Sequence, residues 1–106
     1  MNDRVAKVLD ELKTKLSHVY GDRLRKVILH GSWARGDATE DSDIDLVVVL
    51  EGDVSPGSEI ERMIDAVTDV LLEYSEFVSV YPVSEDDYER VNSPLLMNAR
   101  REGIPA

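Results

Sequence analysis

The stretch His30-Gly31-Ser32-Trp33-Ala34-Arg35-Gly36-Asp37-Ala38-Thr39-Glu40-Asp41-Ser42-Asp43-Ile44-Asp45-Leu46-Val47-Val48 decides the reading of this chain. It joins two apolar segments. Arg25 to His30 contains Val27, Ile28 and Leu29 in sequence and reads as a short strand apolar on both faces. Ile44 to Leu50 is β-branched throughout except at Asp45, Leu46 and Leu50, and reads as a second strand. Gly31 to Ser42 between them is polar and turn-rich. Asp43 and Asp45 lie two residues apart, which on a strand places them on one face with Cα atoms about 6.6 Å apart. Ile44, Leu46 and Val48 then point to the opposite face. The carboxylates thus stand at the mouth of a strand that becomes buried on both sides.

Two such carboxylates repel unless a cation lies between them or one is protonated. Five acids fall within Asp37 to Asp45, which deepens the repulsion. An oxygen-only, hard donor pair suits Mg²⁺ or Mn²⁺ rather than zinc. Mg²⁺ keeps several waters and is commonly completed by substrate phosphates. Upstream, Gly31 lets the backbone come close to a ligand. A turn of free N–H groups, or a short helix starting there, attracts anions. The Ser32 hydroxyl and the two-donor guanidinium of Arg35 add phosphate contacts. One half of the stretch therefore suits phosphate oxygens and the other the metal that bridges them. Simpler roles compete: solvated turn acids for Asp43 and Asp45, a tight turn for Gly31 and Ser32, neutralisation of Asp37 or Asp41 for Arg35. Trp33 fits packing, a base platform or a partner contact, and His30 fits a structural place at a strand end.

Outward from this segment, Val5, Val8, Leu9, Leu12, Leu16 and Val19 recur at helical spacing, which predicts an amphipathic helix from Asp3 to Tyr20, closed by Gly21 and Asp22. Gly52 to Gly57 is a loop. Ser58 and Glu61 form a capping-box pattern ahead of Ile60, Met63, Ile64, Val67, Val70, Leu71 and Tyr74, the strongest helical pattern in the chain. Phe77 to Val83 reads as a third strand. Ser84 caps a short acidic helix running to about Val91. Ser93-Pro94 opens a last helix, Leu95 to Arg101, that stops at Gly103. Its Leu95, Leu96 and Met97 lie on more than one face, pointing to a partner or dimer surface. The expected fold class is α/β, a small mixed sheet with flanking helices. The second and third strands flank a long helix and suit a parallel right-handed crossover; the pairing of the first strand stays open.

Composition narrows the function. At 106 residues the chain is expected to be one domain, 1–106, with a radius of gyration of about 13 Å. Twelve Lys and Arg against 22 Asp and Glu give a net charge of -10, which argues against a duplex nucleic-acid binder. Eight of the twelve cations are Arg, in keeping with solubility or a salty cytoplasm as the source of the acidity. No apolar stretch approaches the roughly 20 residues of a membrane span. No cysteine is present, so thiolate metal sites and disulfides are excluded and a reducing, cytoplasmic setting is expected.

Gly31-Ser32, ten residues, then Asp43-Ile44-Asp45 resembles the signature of the polymerase β-type nucleotidyltransferase superfamily. The fuller Gly-Ser-x-Ala-Arg-Gly and Ser-Asp-Ile-Asp-Leu is similar to its small prokaryotic branch, the minimal nucleotidyltransferases, and the length agrees. The resemblance implies transfer of NMP, AMP above all, from an NTP such as ATP to an acceptor hydroxyl. Gly31 and Ser32 would hold the triphosphate with Arg35 assisting, and Asp43 and Asp45 would be the catalytic metal ligands. It also implies a helical HEPN-type partner protein in a toxin–antitoxin pair, in which this chain would neutralise an RNase, in some systems by attaching AMP to a tyrosine. The family usually carries a third carboxylate on a neighbouring strand. Here Phe77-Val78-Ser79-Val80-Tyr81 puts Ser79 in that place, and Glu76 has the wrong parity to substitute. Two readings remain: a transferase whose partner supplies the base or the tyrosine, and a degenerate protein that acts by nucleotide and partner binding. A weaker third is a sensor of a phosphate-containing small molecule.

Overall fold

A computed structural model describes residues 3–106. Helix α1 (Asp3–Tyr20) leads through a single 3₁₀ turn (Gly21–Arg23) into β1 (Leu24–His30). A four-residue helix α2 (Ser32–Arg35) precedes β2 (Ile44–Leu50). The long helix α3 (Pro56–Tyr74) connects to β3 (Val78–Ser84). Helices α4 (Glu85–Arg90) and α5 (Pro94–Glu102) follow, then a short strand β4 (Ile104–Pro105).

The sheet order is β3-β2-β1-β4. β1 pairs with β2 antiparallel, β2 with β3 parallel, and β1 with β4 antiparallel. The parallel crossover through α3 is the one that the spacing of the second and third strands predicts. β4 was not anticipated: two residues after Gly103 carry too little periodicity to register as a strand. Its addition is made possible by Gly103, where a Cβ would strike the Ala99 carbonyl and the Ile28 side chain. The radius of gyration is 13.0 Å, and among the described residues no helix is long and apolar enough to cross a membrane.

Strand parity divides the core into two layers. Val27, Leu29, Ile44, Leu46, Val48 and Leu50 face α1 and α3. Ile28, Val47, Val49 and Val83 face the opposite side, where Tyr88 of α4 and Leu96 and Ala99 of α5 cover them. β2 is therefore buried on both faces beyond Asp45, and each of its large apolar side chains contributes about 1.5–3 kcal/mol by leaving water.

Several boundaries move. α3 begins at Pro56 with Ser55 as its N-cap, so the expected capping box at Ser58 and Glu61 does not start the helix. Proline's fixed φ suits the first helical position, and it claims the start ahead of Ser58. The buried face of α3 is Glu59, Met63, Ala66 and Val70, which leaves Ile60 and Ile64 outside the core. In α1, Tyr20 rather than Val19 completes the buried stripe. The caps at Ser84 and Ser93 form as expected, their hydroxyls accepting from the Asp87 and Leu96 amides at 3.1 and 3.3 Å.

Candidate active site

The site grows from the register of the three central strands. His30 of β1 lies opposite Asp45 of β2, and Asp45 lies opposite Ser79 of β3. Parity puts this row on the α4/α5 side of the sheet. The next row inward, Ile28, Val47 and Tyr81, begins the covered layer. Asp45 is half-buried and Ser79 exposed, so the row lies where that cover ends. Asp43 stands one residue ahead of β2, exposed.

Gly31 ends β1 with φ 72° and ψ -153°, a conformation essentially reserved for glycine. A Cβ at this position would lie 2.5 Å from Asp45 Oδ2. The bare backbone of Gly31 is thus seated against the Asp45 carboxylate. The two halves of the motif meet at one point, as their chemistry requires. From Gly31 the chain turns at once into α2. The Gly31 carbonyl accepts from the Ala34 and Arg35 amides, both at 3.1 Å. Gly36 closes the turn in the left-handed region, its amide donating to the Ser32 carbonyl. Ser32 and Trp33, the leading residues of this turn, have amides that precede any intrahelical acceptor.

Arg35 is half-exposed and pairs with Asp37 at 3.4 Å and with Glu102 at 3.8 Å. Neutralisation of Asp37 is thus seen directly. Glu102, at the end of α5, is a partner that local sequence could not indicate. Trp33 packs against the α1/α3 core and donates Nε1–H to the Ser42 carbonyl at 3.3 Å, so it anchors the 37–42 loop. The same loop is closed by the Ser42 hydroxyl, which accepts from the Thr39 amide. Burial pushes the His30 imidazole below its ordinary value, against the opposing pull of the Asp45 carboxylate and with a smaller push from Arg35. His30 is the residue that motif reading undervalued; strand parity alone places it beside Asp45.

Ser79 is the direct neighbour of Asp45, so the position next to the metal-type pair holds a hydroxyl. Glu76 does not replace it: its carboxylate turns to Arg4 of α1, 3.4 Å away, on the other side of the sheet. Among the described residues no group of three or more His, Asp or Glu side chains is arranged as a metal site. Two carboxylates fit a cation that takes its remaining ligands from phosphate and water, the usual manner of Mg²⁺. The backbone cradle at Gly31, which a Cβ would fill, fits a phosphate approaching Asp45.

Residues 5–92 match the nucleotidyltransferase domain family. The chain belongs to that family. This nucleotidyltransferase is 37% identical over 98 residues to a protein of Methanocaldococcus jannaschii provisionally named protein adenylyltransferase MJ0604, covering 92% of each chain. Among solved structures it resembles one described provisionally as a minimal nucleotidyltransferase, with 26% identity, a TM-score of 0.53 and coverage of 95% of this chain and 94% of the other. It shares its fold with a toxin–antitoxin protein crystallised with AMP-PNP, at 16% identity and a TM-score of 0.62, covering 89% of this chain and 68% of the other. The polymerase β-like nucleotidyltransferase fold and the minimal branch expected from Gly31-Ser32 and Asp43-Ile44-Asp45 are therefore its fold and family.

Proposed function

We propose that residues 1–106 form one transferase domain that moves AMP from ATP to a hydroxyl group of a partner protein, with Mg²⁺ held by Asp43 and Asp45. The observation that carries this reading is the seating of Gly31 against Asp45, which puts a phosphate cradle and a carboxylate in one place. The relative named as a protein adenylyltransferase supports AMP and a protein acceptor. The toxin–antitoxin neighbour with AMP-PNP supports an ATP-type nucleotide and a toxin partner of the helical HEPN type.

In this reaction the acceptor oxygen bonds to the α-phosphorus. The bond from that phosphorus to the oxygen leading to the β-phosphate breaks, and pyrophosphate leaves with the electron pair. When bound, the metal neutralises phosphate charge and favours in-line displacement. Gly31 admits the phosphates to the backbone, the Ser32 hydroxyl donates to a phosphate oxygen, and Arg35 exchanges Asp37 for the β- and γ-phosphates. The acceptor's proton has no carboxylate at position 79 to receive it and passes to solvent or to a group on the partner.

Ser79 beside Asp45 supports a second reading, a degenerate transferase that neutralises its partner by binding alone. Incubating the chain and its co-purified partner with Mg²⁺ and α-phosphate-labelled ATP separates the two. Labelled partner that disappears in Asp43→Ala supports transfer. Labelling unchanged in Asp43→Ala excludes the metal role. Neutralisation retained in Asp43→Ala and Asp45→Ala, without labelling in the wild type, supports binding alone.

A further inference from the structure

α3 carries two apolar seams. One, Met63, Ala66 and Val70, is spent on the core. The other is Ile60, Ile64, Val67 and Leu71, spaced four, three and four residues apart. That is the a/d repeat of a coiled-coil seam. It turns outward: Ile60 is 41% and Ile64 53% exposed, while Val67 and Leu71 are half-buried. The seam spans about 17 Å at the rise of an α-helix, or three turns of a facing helix. Leu72, 77% exposed, widens it at the C-terminal end.

The flank of this seam is acidic. Glu61 and Asp65 are both exposed, and neither forms an ion pair among the described residues. Nearby charges are already committed, Asp69 to Lys15 at 3.4 Å and Arg62 to the buried Glu59. A second copy of this chain would bring a charge of -10 against another -10, a pairing that self-repulsion opposes. A helix with an apolar stripe and Lys or Arg beside it would meet both the seam and the flank.

We propose that the outward seam of α3 is the docking face for a basic amphipathic α-helix of a partner protein. The face lies on the α1/α3 side of the sheet, away from the row of His30, Asp45 and Ser79. Partner binding is thereby separable from nucleotide chemistry, and the proposal stands whether or not AMP is transferred.

The test uses the intact protein and a fluorescent synthetic peptide of three heptads, with Leu at a and d and Lys at e and g, followed by anisotropy. A second peptide carries Glu at e and g. The Lys peptide is expected to bind the wild type, and to bind at least tenfold more weakly to Ile64→Asp and to the double variant Glu61→Lys/Asp65→Lys. The Glu peptide is expected to prefer the double variant over the wild type. Circular dichroism of each variant checks folding, and the double variant changes only exposed positions. Three results would overturn the proposal: no binding of the Lys peptide, equal binding to all three proteins, or a wild-type dimer in sedimentation that Ile64→Asp dissolves. The last would assign the seam to a second copy.

Discussion

Two residues decide what the site can do. Gly31 combines a glycine-only backbone with contact against Asp45. Replacing it by alanine forces the strain of that conformation, about 3 kcal/mol, and pushes the Asp45 carboxylate aside. Gly31→Ala is therefore expected to lower the urea midpoint and to weaken Mg·ATP binding at least tenfold by calorimetric titration; full-strength binding would show that Asp45 is not the ligand that meets the nucleotide. Ser79 is the complementary case. It is exposed and registers directly with Asp45, so Ser79→Asp adds a carboxylate without disturbing the core. A positioned general base contributes about 10²–10⁴-fold, and labelling of the partner by Ser79→Asp is expected to rise about 10²-fold. No gain would mean that proton removal does not limit this chain. The serine was legible from the alternation of Phe77 to Tyr81, and the glycine and aspartates from their spacing. The tie of Arg35 to Glu102 was not, because those side chains are brought together by α5 packing across the sheet and no local pattern encodes that contact.

At the scale of elements, periodicity located α1, β2 and the parallel crossover, since their buried faces are long and regular. It failed at the margins. The outward seam of α3 has the same spacing as a core stripe, so Ile60 and Ile64 looked buried; only the neighbouring helix shows which of two apolar arcs meets the core. β4 depends on backbone pairing with Ile28 and Leu29 and has no side-chain period to read. The join between α4 and α5 likewise depends on one long-range side chain. Arg100 donates to the carbonyls of Tyr88 at 2.6 Å and Val91 at 2.9 Å, and to Asn92 Oδ1 at 2.7 Å. The guanidinium thus satisfies the end of a six-residue helix that could not hold itself. Arg100→Ala is expected to cost about 2 kcal/mol, the scale of hydrogen bonds to a charged donor, with faster amide exchange confined to α4. Arg100→Lys should restore only part of the loss, because an ammonium cannot span the three acceptors as a planar fork does.

Over the whole molecule, the surplus of acids is distributed unevenly. Many of the cations are consumed in exposed ion pairs, each worth about 0–1 kcal/mol, and no broad basic face is left for a phosphate backbone. The charge excess comes to a point where α1 meets α3. There Glu11 lies against Glu73, with Asp69 close by and Lys15 as the opposing cation. A hydrogen bond shared with Glu73 raises the Glu11 carboxyl above its ordinary 4.5; desolvation and the Glu73 charge add to the rise, and Lys15 opposes it. The folded chain therefore holds this proton more tightly than the unfolded chain. Stability from the shared proton is fully present below the ordinary carboxylate value and is lost as pH rises through the raised one. At neutral pH both groups are ionised and repel. Glu11→Gln keeps a donor toward Glu73 and removes the repulsion. Its melting temperature is expected to exceed the wild type's at pH 7, and the difference should shrink steadily as pH falls toward 4, where the wild type regains its proton. Calorimetric melting of the two proteins across that range checks the sign; a difference independent of pH would show that shape at the helix contact, not charge, governs the pair.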